Sequence, residues 1–287
     1  MLAIFKREFR SYFKGVIGPV ISAIILFFAG IYVTAINLRG GLASFEYVLS
    51  NLVIVLLLAI PILTMRSFSE EKHAKTDQLL YSLPIGVSRI VIGKYLSMLA
   101  VFAIPVAITS LYPLILSSFG DVFFKSAYAA FLGFFLLGAA LISVCMFISS
   151  LTESQVISAV VSIAVLFCLN LMNGLVTLIP TTAYASLICF AVLSGIITAI
   201  VYLLTKSSTI SSITFIVTLA PTIIAFALNK ELFEGLFPKI ISYLAVFDRF
   251  TYMTSGIFDI TAIVYLVSFT AFFIYLTIQS VEKRRWS

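Results

Sequence analysis

Long apolar runs, broken by short polar stretches, fall at about 16–36, 48–65, 90–117, 124–149, 156–179, 183–204, 210–228 and 260–280. A helical crossing of a bilayer needs roughly 20 apolar residues, so each run is a candidate span. The runs are too long and too evenly apolar for the alternating strands of a membrane barrel. The predicted fold is an all-α polytopic membrane protein with eight transmembrane helices. Six would remain if the hairpin at 183–228 does not cross. Composition agrees: 62% of residues are hydrophobic and 10% charged, whereas soluble domains run near 25% charged. No soluble catalytic domain fits into such a chain. Residues 1–287 read as one transmembrane domain.

The N-terminus carries basic residues before an apolar run, as a signal peptide does. The run from Val16 to Ile36 is longer than a signal core, and no small-residue cleavage site follows, so it reads as an uncleaved first span. Orientation follows from the excess of Lys and Arg in loops that stay inside. With the N-terminus inside and eight spans, only Arg39, Lys125, Lys230, Lys239 and Arg249 of the 18 basic residues fall outside. Both termini are then cytoplasmic, in an inner (cytoplasmic) membrane. The net charge of +6 is accounted for by orientation and anionic lipid, and no nucleic-acid partner is implied.

Four segments outside the spans carry the remaining information. In Met1–Lys14, Leu2, Phe5, Phe9, Tyr12 and Phe13 share one helical face, and Lys6, Arg7, Arg10 and Lys14 lie mostly opposite. The pattern predicts an interfacial helix over 1–14 with its cations toward lipid headgroups. The stretch Arg66–Lys94 is the one sizeable polar segment inside. Ser67 and Glu70 form a capping-box pattern. Glu70, Glu71 and Asp77 suit the first half of a helix, and Pro84 and Gly86 end it. Leu79, Leu80 and Leu83 add an apolar patch to this helix over 67–83. Gly120–Lys125 is a short outer turn without evident chemistry. In the outer stretch 229–259, Phe233, Leu236, Phe237, Ile240, Ile241 and Leu244 recur at helical spacing, which predicts an amphipathic helix that braces the interface or dips into the bilayer. Phe247, Phe250, Tyr252 and Phe258 then read as an aromatic belt. Pro105 and Pro113 interrupt the third span and Pro221 the seventh, where each can kink its helix.

Candidate chemistry is sparse. Cys145, Cys168 and Cys189 lie in apolar runs with neither metal spacing nor a disulfide pattern. The one histidine, His73, has no second histidine to share a metal. Serines such as Ser143, Ser158 and Ser162 have no visible base, so an intramembrane hydrolase is disfavoured. No Walker A pattern occurs: Gly86 and Gly93–Lys94 have the wrong spacing, and Tyr95 follows where Ser or Thr is needed. No acid or histidine sits in the middle of a span, which argues against a proton relay. Neither cofactor nor metal is expected, and the chain is not read as an enzyme.

The polar loop resembles that of ABC-2 type transporter permeases: an acidic pair (Glu70–Glu71), Thr76, Gln78–Leu79–Leu80, Pro84, and Gly93–Lys94. Residues 138–160 are similar to the turn between that family's fourth and fifth spans. Residues 247–286 are similar to the C-terminal end of its gliding-motility-associated branch. Two departures stand out: Lys75 occupies a position where many relatives carry Gly, and the apolar hairpin near 183–228 has no counterpart in six-span relatives. The resemblance implies a permease subunit, an exporter more often than an importer. It would dimerise with a second copy or a homologous permease and be powered by a separate ATP-binding subunit. Carried over, 67–83 is the coupling helix. Glu70, Glu71, Thr76, Gln78, Leu79, Leu80 and Pro84 are the expected contacts with the ATPase, and Glu153 is a second, smaller one. The interfacial residues are Phe5, Arg7, Phe9 and Arg10, and the outer segment presents Phe233, Phe237 and Ile241. The alternatives are a gradient-driven carrier or channel, or a non-transporting anchor that relays the state of an ATPase.

Overall fold

Each long apolar run forms a helix, because a helix satisfies its own backbone donors and acceptors where no water can. The computed structural model describes residues 1–42, 44–76, 86–178, 180–205, 208–228, 230–254 and 259–285, and among these no strand occurs. Helix α1 (Leu2–Lys14) precedes α2 (Ile17–Tyr32), which widens into a π-helical turn over Val33–Arg39. Then come α3 (Glu46–Thr64), the stub α4 (Ser69–His73), α5 (Val87–Thr109) and the short α6 (Tyr112–Leu116). After α7 (Phe124–Leu151) and α8 (Gln155–Leu178) follow α9 (Ala183–Thr205) and α10 (Ser208–Leu228). A 3-10 turn over Lys230–Phe233, α11 (Leu236–Leu244), α12 (Val246–Thr254) and α13 (Ile260–Arg285) complete the chain.

Among the described residues, six helices are long and apolar enough to cross a membrane: Ile17–Arg39, Glu46–His73, Val87–Leu116, Phe124–Leu151, Gln155–Met172 and Ile260–Arg284. The protein is an all-α polytopic membrane protein. The other two expected spans are also helical, with 23 residues in α9 and 21 in α10. Their apolar stretches among the described residues are the shorter Ala183–Gly195 and Thr214–Ile223.

The chain packs as two compact units, Met1–Leu169 with Val246–Ser287, and Asn170–Ala245. The apolar hairpin that sets this sequence apart lies wholly within the second. In the first unit α7 is central, packed by α3, α5, α12 and α13. Glycine makes two of these approaches possible. A Cβ on Gly138 would lie 2.2 Å from the Phe102 ring of α5, and one on Gly133 2.9 Å from Met253 Sδ of α12. Phe45, Phe102, Phe134 and Phe250 are the largest fully buried side chains. The aromatic belt is therefore corrected: Phe247 and Phe250 belong to the core, where α12 turns them onto α7, and Tyr252 alone of the described three is exposed. Phe258 lies outside the described residues. Pro113 sits in the first turn of α6, after α5 has stopped at Thr109, while Pro105 and Pro221 are accommodated within α5 and α10.

The second unit is built on α9 against α10. Phe190 meets Phe233 and Phe237 edge-on at 6.1 and 5.2 Å, and Phe226 meets Phe233 at 5.4 Å. The amphipathic helix expected from the spacing of Phe233 to Leu244 is broken instead. Gly235 adopts a left-handed φ of 67° and donates its N–H to Thr181 O at 2.8 Å. Phe233 thus lies in the 3-10 turn, Phe237 and half-buried Ile241 lie in α11, and the remainder, from Val246, belongs to the first unit.

Candidate functional site

The polar end of the first unit is assembled from the C-terminal ends of α3 and α7, the stub α4, the start of α5, and α1. Three faces divide α1. Ile4 and Tyr12 are buried, with Ile4 against Gly93 of α5. Phe5, Phe9 and Phe13 form a partly exposed ladder with ring centroids 5.8 and 5.0 Å apart. Lys6, Arg10 and Lys14 line an open groove with Ser11. The inward face also carries Glu8, which an otherwise basic helix would not need for binding lipid.

Glu8 is there for Lys94. This lysine stands in the first third of α5 and is 2% exposed. Its Nζ donates to Ser67 O at 2.7 Å and pairs with Glu71 Oε1 at 2.9 Å and Glu8 Oε1 at 3.7 Å. It also lies 5.1 Å from the centroid of the Phe68 ring. Arg7 Nη2 closes the cluster, 2.6 Å from Glu8 Oε1 and 3.3 Å from Glu71 Oε1. Its hydrogen bond to Glu8, and then the charges of Glu8 and Glu71, hold the Arg7 guanidinium above its ordinary value against the opposing effect of burial. A buried cation is tolerable only when it is paired and its protons are satisfied, and here one lysine ties α1, α4 and α5 together. The charges line a cleft of about 400 Å³ with Tyr12, whose phenol burial pushes well above its usual value.

The stub α4 is fixed to α7 as well. Ser149 Oγ accepts the N–H groups of Phe68 (3.2 Å) and Ser69 (3.3 Å) and donates to Met65 O (3.2 Å). Lys72 Nζ donates to Ser150 O. The expected capping box is thus corrected: among the described residues the Ser67 hydroxyl has no hydrogen-bond partner, and the cap comes from Ser149 on another helix. Glu70 is held instead by Arg66, through Nε at 2.7 Å and Nη2 at 3.3 Å.

Of the helix expected over 67–83, the described part is α4, which stops at His73, and 77–83 lie outside the described residues. Lys75 N–H bonds to Lys72 O (3.1 Å) and Thr76 N–H to Glu71 O (3.0 Å), with Lys75 at a left-handed φ of 55°. This is the two-bond helix stop usually made with glycine. His73, Ala74, Lys75 and Thr76 are exposed. Gln78, Leu79, Leu80, Leu83 and Pro84 lie outside the described residues. Glu153, in the turn between α7 and α8, pairs with Arg284 of α13 at 2.9 Å. Of the expected contacts, Glu71 faces inward to Lys94, Glu70 pairs with Arg66 while its side chain stays 44% exposed, and Thr76 is exposed. Sequence reasoning missed Glu8, Lys72, Ser149 and Ser150. The lone acid in α1 was the one available signal.

Among the described residues no group of three or more His, Cys, Asp or Glu gathers to hold a metal. Ion pairs and hydrogen bonds link α4, just before the exposed turn at 73–76, to α1, α5 and α7. The first unit is thus a membrane bundle with a polar end cross-linked by ion pairs and hydrogen bonds. A family model described as ABC-2 family transporter protein matches residues 3–213. The chain belongs to the ABC-2 transporter family, a family of membrane components distinct from the ATPase. Comparison with curated proteins and with solved structures gives no match.

Proposed function

We propose that this chain is the permease subunit of an ABC-2 exporter, dimeric, driven by a separate ATPase that docks on the segment following α4. The observation that carries the proposal is the buried Lys94–Glu71–Glu8 cluster, which would convert movement of a docked partner into movement of three helices. Glu71 serves as an internal strut behind the docking surface, which is Glu70 and Thr76 with Gln78, Leu79, Leu80 and Pro84. Glu153 and Arg284 form the second, smaller contact. The charge-rich end faces the cytoplasm of a cell with an inner membrane, both termini lie on that side, and the chain crosses eight times. Phe5 and Phe9 enter the lipid interface while Arg10, with Lys6 and Lys14, meets the headgroups. Phe233, Phe237 and Ile241 belong to the outer part of the second unit. The likeness of 247–286 to the gliding-motility-associated branch supports placing the chain there.

Co-purification in mild detergent tests the docking assignment. A candidate ATPase is expected to accompany the wild type and to be lost from a Thr76→Arg, Leu79→Asp variant whose thermal midpoint is unchanged. If the chain purifies folded and alone, and moves a solute down an ion gradient, a carrier replaces the permease.

A further inference from the structure

At the other end of α3 from the Lys94 cluster lies a cavity of about 350 Å³. The two ends are about 28 Å apart along a 19-residue helix at 1.5 Å per residue. Glu46 lines this cavity and is only 8% exposed. Glu46 is the acid in the first turn of α3, whose N-cap is Phe45. Among the described residues no cation pairs with its carboxylate and no donor reaches it. The residue is mostly buried but its carboxylate opens onto the cavity, at the start of α3 where the helix N-terminus favours negative charge, and with no cation to neutralise it the group points to a ligand that supplies positive charge.

The surrounding hydroxyls narrow the class. Ser50 Oγ donates to Glu46 O at 3.0 Å, and Thr254 Oγ1 donates to Thr251 O at 2.8 Å. A carbonyl can only accept, so both hydroxyl protons are committed inward and only lone pairs face the cavity. Ser44 and Ser126 add two more hydroxyls to the wall. The lining also carries two exposed aromatic side chains, Tyr47 and Phe123. A single carboxylate is too little charge for Ca²⁺, which takes six to eight oxygens and usually several carboxylates. One carboxylate, two hydroxyls that present lone pairs and two aromatic side chains instead match a monovalent organic cation, whose N–H or N–CH₃ groups attract all three. We infer that this cavity binds an organic ammonium group, carried either by a free amine or by a lipid headgroup.

The test is binding to the full chain, with no ATPase present, so its outcome is separate from that of the co-purification. Thermal midpoints are measured in phosphatidylglycerol nanodiscs with rising ethanolamine or choline, and again in nanodiscs rich in phosphatidylethanolamine. A ligand of the native state alone raises the midpoint with concentration. The expected result is a rise for wild type, with apparent affinity at least tenfold weaker in Glu46→Gln and several-fold weaker in Phe123→Ala. A response to soluble amine identifies a free amine as ligand; a response confined to the phosphatidylethanolamine discs identifies the headgroup. If Glu46→Gln does not fold, Phe123→Ala alone decides, since that side chain is exposed. The inference is overturned if wild type responds in neither arm, if the variants respond as wild type does, or if Ca²⁺ stabilises where ethanolamine does not.

Discussion

Lys94 is a charge in a helix otherwise built to be apolar, and its neighbours show why it stays. Lys94→Met would leave the Glu71 and Glu8 carboxylates without their buried partner. Breaking a buried pair from one side costs about 3–5 kcal/mol, so a lower thermal midpoint in detergent is expected. The Glu71→Gln, Lys94→Met double variant should recover part of that loss, which separates an ion pair from simple packing. Lys75 is the opposite case, a residue whose backbone strains against its side chain. At φ 55° glycine has no Cβ penalty, so Lys75→Gly is expected to stabilise α4 by about 1 kcal/mol. Slower amide exchange of Thr76 in the variant checks it. The resemblance alone flagged Lys75 as a departure. Nothing in the local sequence announces a left-handed residue there.

The elements divide into those legible from pattern and those set by contacts. The long helices follow from apolar length alone, and the amphipathic helix α1 follows from its periodicity. The end of α4 and the break at Gly235 were not legible, because apolar spacing continues through both: Leu79 and Leu80 extend one pattern, Phe233 and Leu236 the other. The cap on α4 was not legible either, since Ser149 lies 80 residues from Ser69. Ser149→Ala is expected to cost about 1–2 kcal/mol, the range for a lost helix cap, with faster exchange of the Phe68 and Ser69 amides as the readout. Helix spacing has its own probe. Gly138→Val places carbon into the Phe102 ring, and overpacking costs typically 1–3 kcal/mol. Phe102→Leu in the same chain should restore part of it by returning the space.

For the whole molecule, the proposed orientation makes a labelling pattern. Phe119 is exposed beyond α6, far from the polar end, while Thr76 lies on the exposed turn after α4. In intact cells, with the native cysteines replaced, an impermeant maleimide should label Phe119→Cys and spare Thr76→Cys until the membrane is opened. The reverse pattern would invert the topology. The organisation of the first unit also bears on how the protein is made. Its central helix, α7, needs α12 and α13 to cover it, yet the whole second unit is encoded between them. At 5–20 residues per second, the roughly 95 residues from the end of α7 to α12 keep the ribosome occupied for about 5–20 s. Throughout that interval the faces of α7 destined for α12 and α13, including the notch at Gly133, stand open to whatever the membrane or the insertion machinery offers. A nascent chain stalled before residue 246 is therefore a half-closed bundle, a natural substrate for membrane quality control.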